Sequence, residues 1–112
     1  MRVLVVYCHP VEDSFCAAVR DAAVAAIRAK GCEARVLDLY AEKFDPIMRP
    51  EERLSYNERA PEDPALQAHI EGLRWAQALV FIYPTWWYGL PAMLKGWLDR
   101  VWAKDVVFTF GG

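Results

Sequence analysis

The sequence predicts an α/β domain of three layers, a doubly wound parallel sheet with helices on both faces. Three observations predict it. Residues 3–7 and 78–83 are short apolar runs without polar alternation, as in strands covered on both sides. The intervening segments place apolar residues at helical spacing. Residues 3–38 read strand, helix, strand, a unit that closes as parallel strands through a right-handed crossover.

The first strand is Val-Leu-Val-Val-Tyr at 3–7. Asp13 or Ser14 can cap the helix that follows. From Phe15 to Ala29 that helix shows Phe15, Ala18, Val19, Ala22, Ala26 and Ile27 as its apolar positions. Arg28 and Lys30 suit its last turn, and Gly31 supplies the stop. Residues 33–38 form the second strand. Residues 40–63 differ: Pro46, Pro50 and Pro61, many charges and little periodicity mark a long surface excursion, with a helical turn near Glu51–Tyr56. Excursions of this length are usually functional or mobile. Pro64 suits the first position of a helix capped by Asp63, with Leu66, Ile70 and Leu73 on one face. The third strand, 78–83, stops at Pro84. After the loop Thr85–Leu90, Pro91 opens a helix with an apolar face of Met93, Leu94, Trp97, Leu98, Val101 and Trp102. Val106–Phe110 reads as extended.

Composition removes several classes. The net charge is −2 without a basic stripe, which excludes a nucleic-acid surface. No apolar run approaches the roughly 18 residues of a membrane span. The first strand lacks the cleavage pattern of a signal peptide, so a cytoplasmic protein is expected. The three cysteines, Cys8, Cys16 and Cys32, share no metal-ligand spacing, and no metal is expected.

Ligands on such sheets bind at the carboxyl ends of strands, at the topological switch point. Two segments meet that condition. His9-Pro10-Val11-Glu12-Asp13-Ser14-Phe15 joins a strand end to a helix N-terminus, where free N–H groups and the helix dipole favour phosphate. Spacing alone leaves phosphate binding and an ordinary capped turn equally open. Pro84-Thr85-Trp86-Trp87-Tyr88-Gly89 puts three aromatics at a strand end, where at least one should border a cleft and offer a wall for a flat ring. Its backbone N–H groups are expected to be free for a ligand's edge. Packing on a partner subunit is the other reading of that loop, and the two are compatible.

The run Leu4–Pro10 with Ser14-Phe15, and above all the run Val80–Val101, resemble the flavodoxin-like NAD(P)H dehydrogenase (quinone) family, which includes DT-diaphorase and bacterial relatives. The resemblance extends over essentially all 112 residues, Phe44-Asp45-Pro46 included. It implies a flavodoxin-like fold and a flavin cofactor, FAD ahead of FMN, with NADH or NADPH as donor and a quinone or similar acceptor. It implies that His9, Ser14, Phe15 and Cys16 hold the flavin's phosphates and ribityl region. It implies that Pro84, Thr85, Trp86, Trp87 and Tyr88 hold the isoalloxazine. Asp13 stands where some members carry threonine. Hydride would pass to flavin N5, and two electrons would leave to the acceptor from the same pocket. No catalytic acid or base is assigned.

Family members are longer, so residues 1–112 are read as the N-terminal portion of one flavin-binding domain, with a fourth and fifth core strand expected after Gly112. A homodimer is expected, because the loop and helix up to Trp102 carry more large apolar residues than one small sheet should cover. A non-catalytic ancillary or regulatory subunit that binds a protein partner is the alternative. A phosphorylation receiver is excluded, because the first and third strands end in Cys8-His9-Pro10 and Tyr83-Pro84-Thr85 rather than in acids.

Overall fold

The structure, a computed structural model, describes residues 1–108. The elements are β1 (Arg2–Tyr7), α1 (Phe15–Ala29), β2 (Glu33–Asp38), α2 (Pro50–Leu54), α3 (Pro64–Trp75), β3 (Ala78–Ile82) and α4 (Ala92–Val101). The strands form one parallel sheet in the order β2-β1-β3. The chain therefore leaves β1 in one direction and returns on its other side, so the switch point lies between β1 and β3.

β1 is buried on both faces, which explains its missing polar alternation. Val3, Val5 and Tyr7 pack with Ala17 and Ile82 under α1. Leu4, Val6 and Cys8 pack on the opposite face with Leu66, Ile70, Leu94, Trp97 and Val101 of α3 and α4. These are the three predicted layers. β2 is a polar edge, with Glu33 and Arg35 exposed, as suits an edge strand. β3 is apolar and has no strand on its outer side among the described residues.

Four expectations need correction. The apolar face of α1 is Cys16, Ala17, Ala23, Val24 and Ile27, whereas Phe15, Ala18, Val19, Ala22 and Ala26 are exposed. The helix is apolar nearly all round, so its composition supports two stripes and only the sheet selects one. β3 ends one residue early, because Tyr83 lies outside the ladder. The short helix is Pro50–Leu54 rather than Glu51–Tyr56. Val106 and Val107 form a turn, not a strand; residues 109 and 110 of that expectation lie outside the described residues.

The excursion is anchored at several points. Phe44 is buried in the main core. Arg100 of α4, 4% exposed, donates to both Glu52 oxygens at 2.7 and 3.0 Å, to Asp63 at 3.0 Å and to the Asp45 carbonyl at 2.7 Å. One buried cation thus gathers three points of the excursion against α4, its charge balanced in place. A buried histidine adds a polar contact between helices: Trp97 Nε1–H donates to His69 Nδ1 at 3.1 Å. Indole can only donate, so the proton of neutral His69 sits on Nε2, which faces Glu42 at 3.4 Å. No helix of the described residues is long and apolar enough to cross a membrane.

Candidate functional site

β1 and β3 are neighbours in register, and Cys8 N–H still bonds the Ile82 carbonyl at 3.0 Å. The segments that leave these two strands therefore emerge side by side. The His9 and Trp86 rings meet at 6.1 Å between centroids, tilted by 59°. Two stretches more than seventy residues apart in the sequence share one edge of the sheet.

The first stretch is a capped helix start. Ser14 has extended backbone angles, and its Oγ accepts from Ala17 N–H at 3.1 Å. The N–H groups of Phe15 and Cys16 have no intrahelical acceptor, and the first turn carries no acid. The Phe15 ring is 83% exposed; Cys16 is half-buried against α1's sheet-facing side. His9 is half-buried, and its Nδ1 accepts from Val11 N–H at 3.0 Å, so in the neutral ring the proton is on Nε2. Burial pushes the neighbouring Cys8 thiol up to about 11, which leaves a neutral, inert sulfur.

The second stretch is a tight hairpin. Trp86 and Gly89 exchange backbone hydrogen bonds at 3.3 and 3.1 Å. Trp87 and Tyr88 turn the corner at φ 51° and 63°, the left-handed pair of a two-residue hairpin normally given to Asn and Gly. For bulky side chains this costs roughly 1–2 kcal/mol per residue. Both rings project outward, 94% and 100% exposed. Pro84 is half-buried and Thr85 exposed. The expectation of free backbone donors holds only in part. The N–H groups of Trp86 and Gly89 are used across the turn, which leaves those of Thr85, Trp87 and Tyr88.

On the other side of β1, a cleft of about 420 Å³ is lined by Tyr7, His9, Arg20, Asp38 and Tyr40 among others. A separate cavity of about 250 Å³ lies under the excursion beside Glu52, Asp63 and Arg100. The four carboxylate oxygens of Glu52 and Asp63 already accept hydrogen bonds from Arg100 or from the Arg49 and Ala65 N–H groups. Sequence reasoning missed Tyr7 and Arg100. The available signals were a phenol ending an aliphatic strand, and a cation between Trp97 and Val101 on an apolar helix face.

Fold and edge together define a doubly wound α/β protein whose topological switch point lies where β1 and β3 meet. The chain belongs to the family with the flavodoxin-like fold, whose family model matches residues 1–112. It is 35% identical to NAD(P)H dehydrogenase (quinone) 1 of Cavia porcellus, over 97% of this chain and 46% of that protein. It is 34% identical to the uncharacterized NAD(P)H oxidoreductase YcaK of Escherichia coli, over 98% of this chain and 57% of that protein. Among solved structures, the NAD(P)H:quinone oxidoreductase from Methanothermobacter marburgensis superposes with a TM-score of 0.84 at 38% identity. That match covers 92% of this chain and 54% of the other. The chain spans about half the length of the curated relatives it matches.

Proposed function

We propose that the protein is a flavin-dependent NAD(P)H:quinone-type oxidoreductase that holds its flavin across the β1–β3 edge, FAD ahead of FMN, and works as a homodimer. The observation that carries this reading is the meeting of a capped, acid-free helix start with an aromatic hairpin at one switch point. The donor set suits a phosphorylated ring system. Ser14 Oγ and the Phe15 and Cys16 N–H groups would face the phosphates, with His9 Nε2–H beside them. Pro84, Thr85, Trp86, Trp87 and Tyr88 would line the isoalloxazine through aromatic contact and the free N–H groups of the turn. When bound, the flavin supplies the two-electron chemistry between NAD(P)H and quinone. This chain's part is to position it and exclude water. The rings of Phe15, Trp87 and Tyr88 are each exposed, apolar area of the kind that a second subunit would cover.

The test is direct. The purified protein is denatured and the released small molecules are identified by mass spectrometry. Flavin titration is then repeated on Ser14→Asp, which keeps a good N-cap but sets a second negative charge beside Asp13. Bound flavin in the parent and strongly weakened binding in a folded variant are expected. A protein that neither carries nor binds flavin would refute the reading and favour an ancillary subunit.

A further inference from the structure

Tyr7 is the last residue of β1 and is 2% exposed. Its ring is filed between the sheet and α1, with the Arg20 guanidinium 4.6 Å above its centroid. A phenylalanine would fill the same space. The hydroxyl is therefore the feature to explain. Its one hydrogen-bond partner among the described residues is Ser14 Oγ at 3.4 Å. That is long for an O–H···O pair, so its contribution is one of direction more than of strength.

We infer that Tyr7 is a positioning residue, whose phenol fixes the Ser14 hydroxyl as an outward donor to the flavin phosphate. This rests on the flavin reading above. A serine hydroxyl has two acceptor sites and one hydrogen. Ala17 N–H occupies one acceptor site at 3.1 Å. Were Ser14 to donate to Tyr7, the phenol hydrogen would have no acceptor among the described residues. With Tyr7 donating instead, both acceptor sites of Ser14 are filled from the protein side. The serine hydrogen is then left to point away from β1 and α1, toward the space in front of the first helical turn. Phe15 N–H and Cys16 N–H are the other donors of that turn. Ser14 thus presents a donor, not a lone pair, to an anion, without having to rotate when the anion arrives. Arg20 reinforces the arrangement by holding the ring from its face.

The experiment separates the phosphate from the ring system. Riboflavin, FMN and FAD are titrated into the flavin-stripped protein, with flavin fluorescence as the readout. The parent, Tyr7→Phe, Ser14→Ala and the double variant are compared, and urea unfolding checks that each folds. Tyr7→Phe is expected to weaken FMN and FAD by about three- to tenfold, the scale of one hydrogen bond, and to leave riboflavin unchanged. In the Ser14→Ala background the same substitution should change nothing. Tyr7→Leu removes the hydroxyl in a different shape and serves if the phenylalanine variant does not fold. An equal loss for riboflavin, an undiminished loss in the Ser14→Ala background, or no loss for FMN and FAD would each overturn the assignment. A parent protein that binds none of the three would remove the flavin reading itself, and the assignment with it. That outcome is distinct from flavin binding that ignores Tyr7.

Discussion

Gly96 of α4 lies directly beneath Pro46 of the excursion: a Cβ at Gly96 would overlap the Cβ, Cα and carbonyl oxygen of the proline. Neither a helix backbone nor a proline backbone can yield as a flexible side chain does. Gly96→Ala should therefore destabilise the protein by about 1–3 kcal/mol despite the better helix propensity of alanine. Gly72→Ala in α3 is the control. Its nearest neighbours are Leu4 methyl groups at 3.7 and 3.8 Å, an ordinary contact, so propensity should win and stability should rise by roughly 0.5–1 kcal/mol. Urea midpoints of the two variants should move in opposite directions.

The His69–Trp97 contact predicts a pH dependence. Burial lowers the His69 pKa below its ordinary value of 6.5, although the Glu42 carboxylate pulls the other way. The folded state thus prefers the neutral ring. The associated stability is complete above about pH 6.5 and is lost as the pH falls toward the folded value, because the unfolded chain takes up the proton first. His69→Gln can still accept from the Trp97 indole but does not titrate. Unfolding midpoints measured between pH 7.5 and pH 5 should fall for the parent and fall less for the variant.

Arg100→Met keeps the volume of the side chain and removes its charge. Glu52 and Asp63 would then be left facing each other without their cation. The expected loss is about 3 kcal/mol, the low end for a broken buried pair, because Asp63 keeps solvent contact at 37% exposure. Hydrogen exchange should rise first across residues 45–63, the segment this arginine gathers. A loss spread evenly over the sheet would contradict that role.

Relief of the hairpin strain should be visible as stability. Replacing Trp87 and Tyr88 by Asn and Gly, the pair this turn geometry favours, should raise stability by roughly 1–3 kcal/mol, since both replaced rings are exposed and leave no cavity. If the proposed function is right, the same change should weaken flavin binding, an exchange of function for stability. Thermal melts and flavin titrations on one sample report both.

Much of the fold was legible in the sequence because its signals are local. Period, capping and proline placement marked α1 and the start of α3, β2 was placed at 33–38, and the aliphatic β1 announced burial on both faces. The same locality marked the two candidate segments, since strand ends and helix starts are written in adjacent residues. The stripe of α1 was not legible. Its alanine-rich surface supports more than one apolar face; Ile27 was read correctly, but only packing against Val3, Val5 and Ile82 chooses Ala17 and Val24 over Ala18 and Ala22. Nor could the sequence bring Arg100 to Glu52 or Pro46 to Gly96. These contacts depend on where the chain returns after a crossover, and that is decided by burying both faces of the sheet at once. The meeting of His9 with Trp86 has the same origin. Each stretch carries its own chemistry in its residues, but their common edge exists only because β3 pairs with β1 rather than with β2.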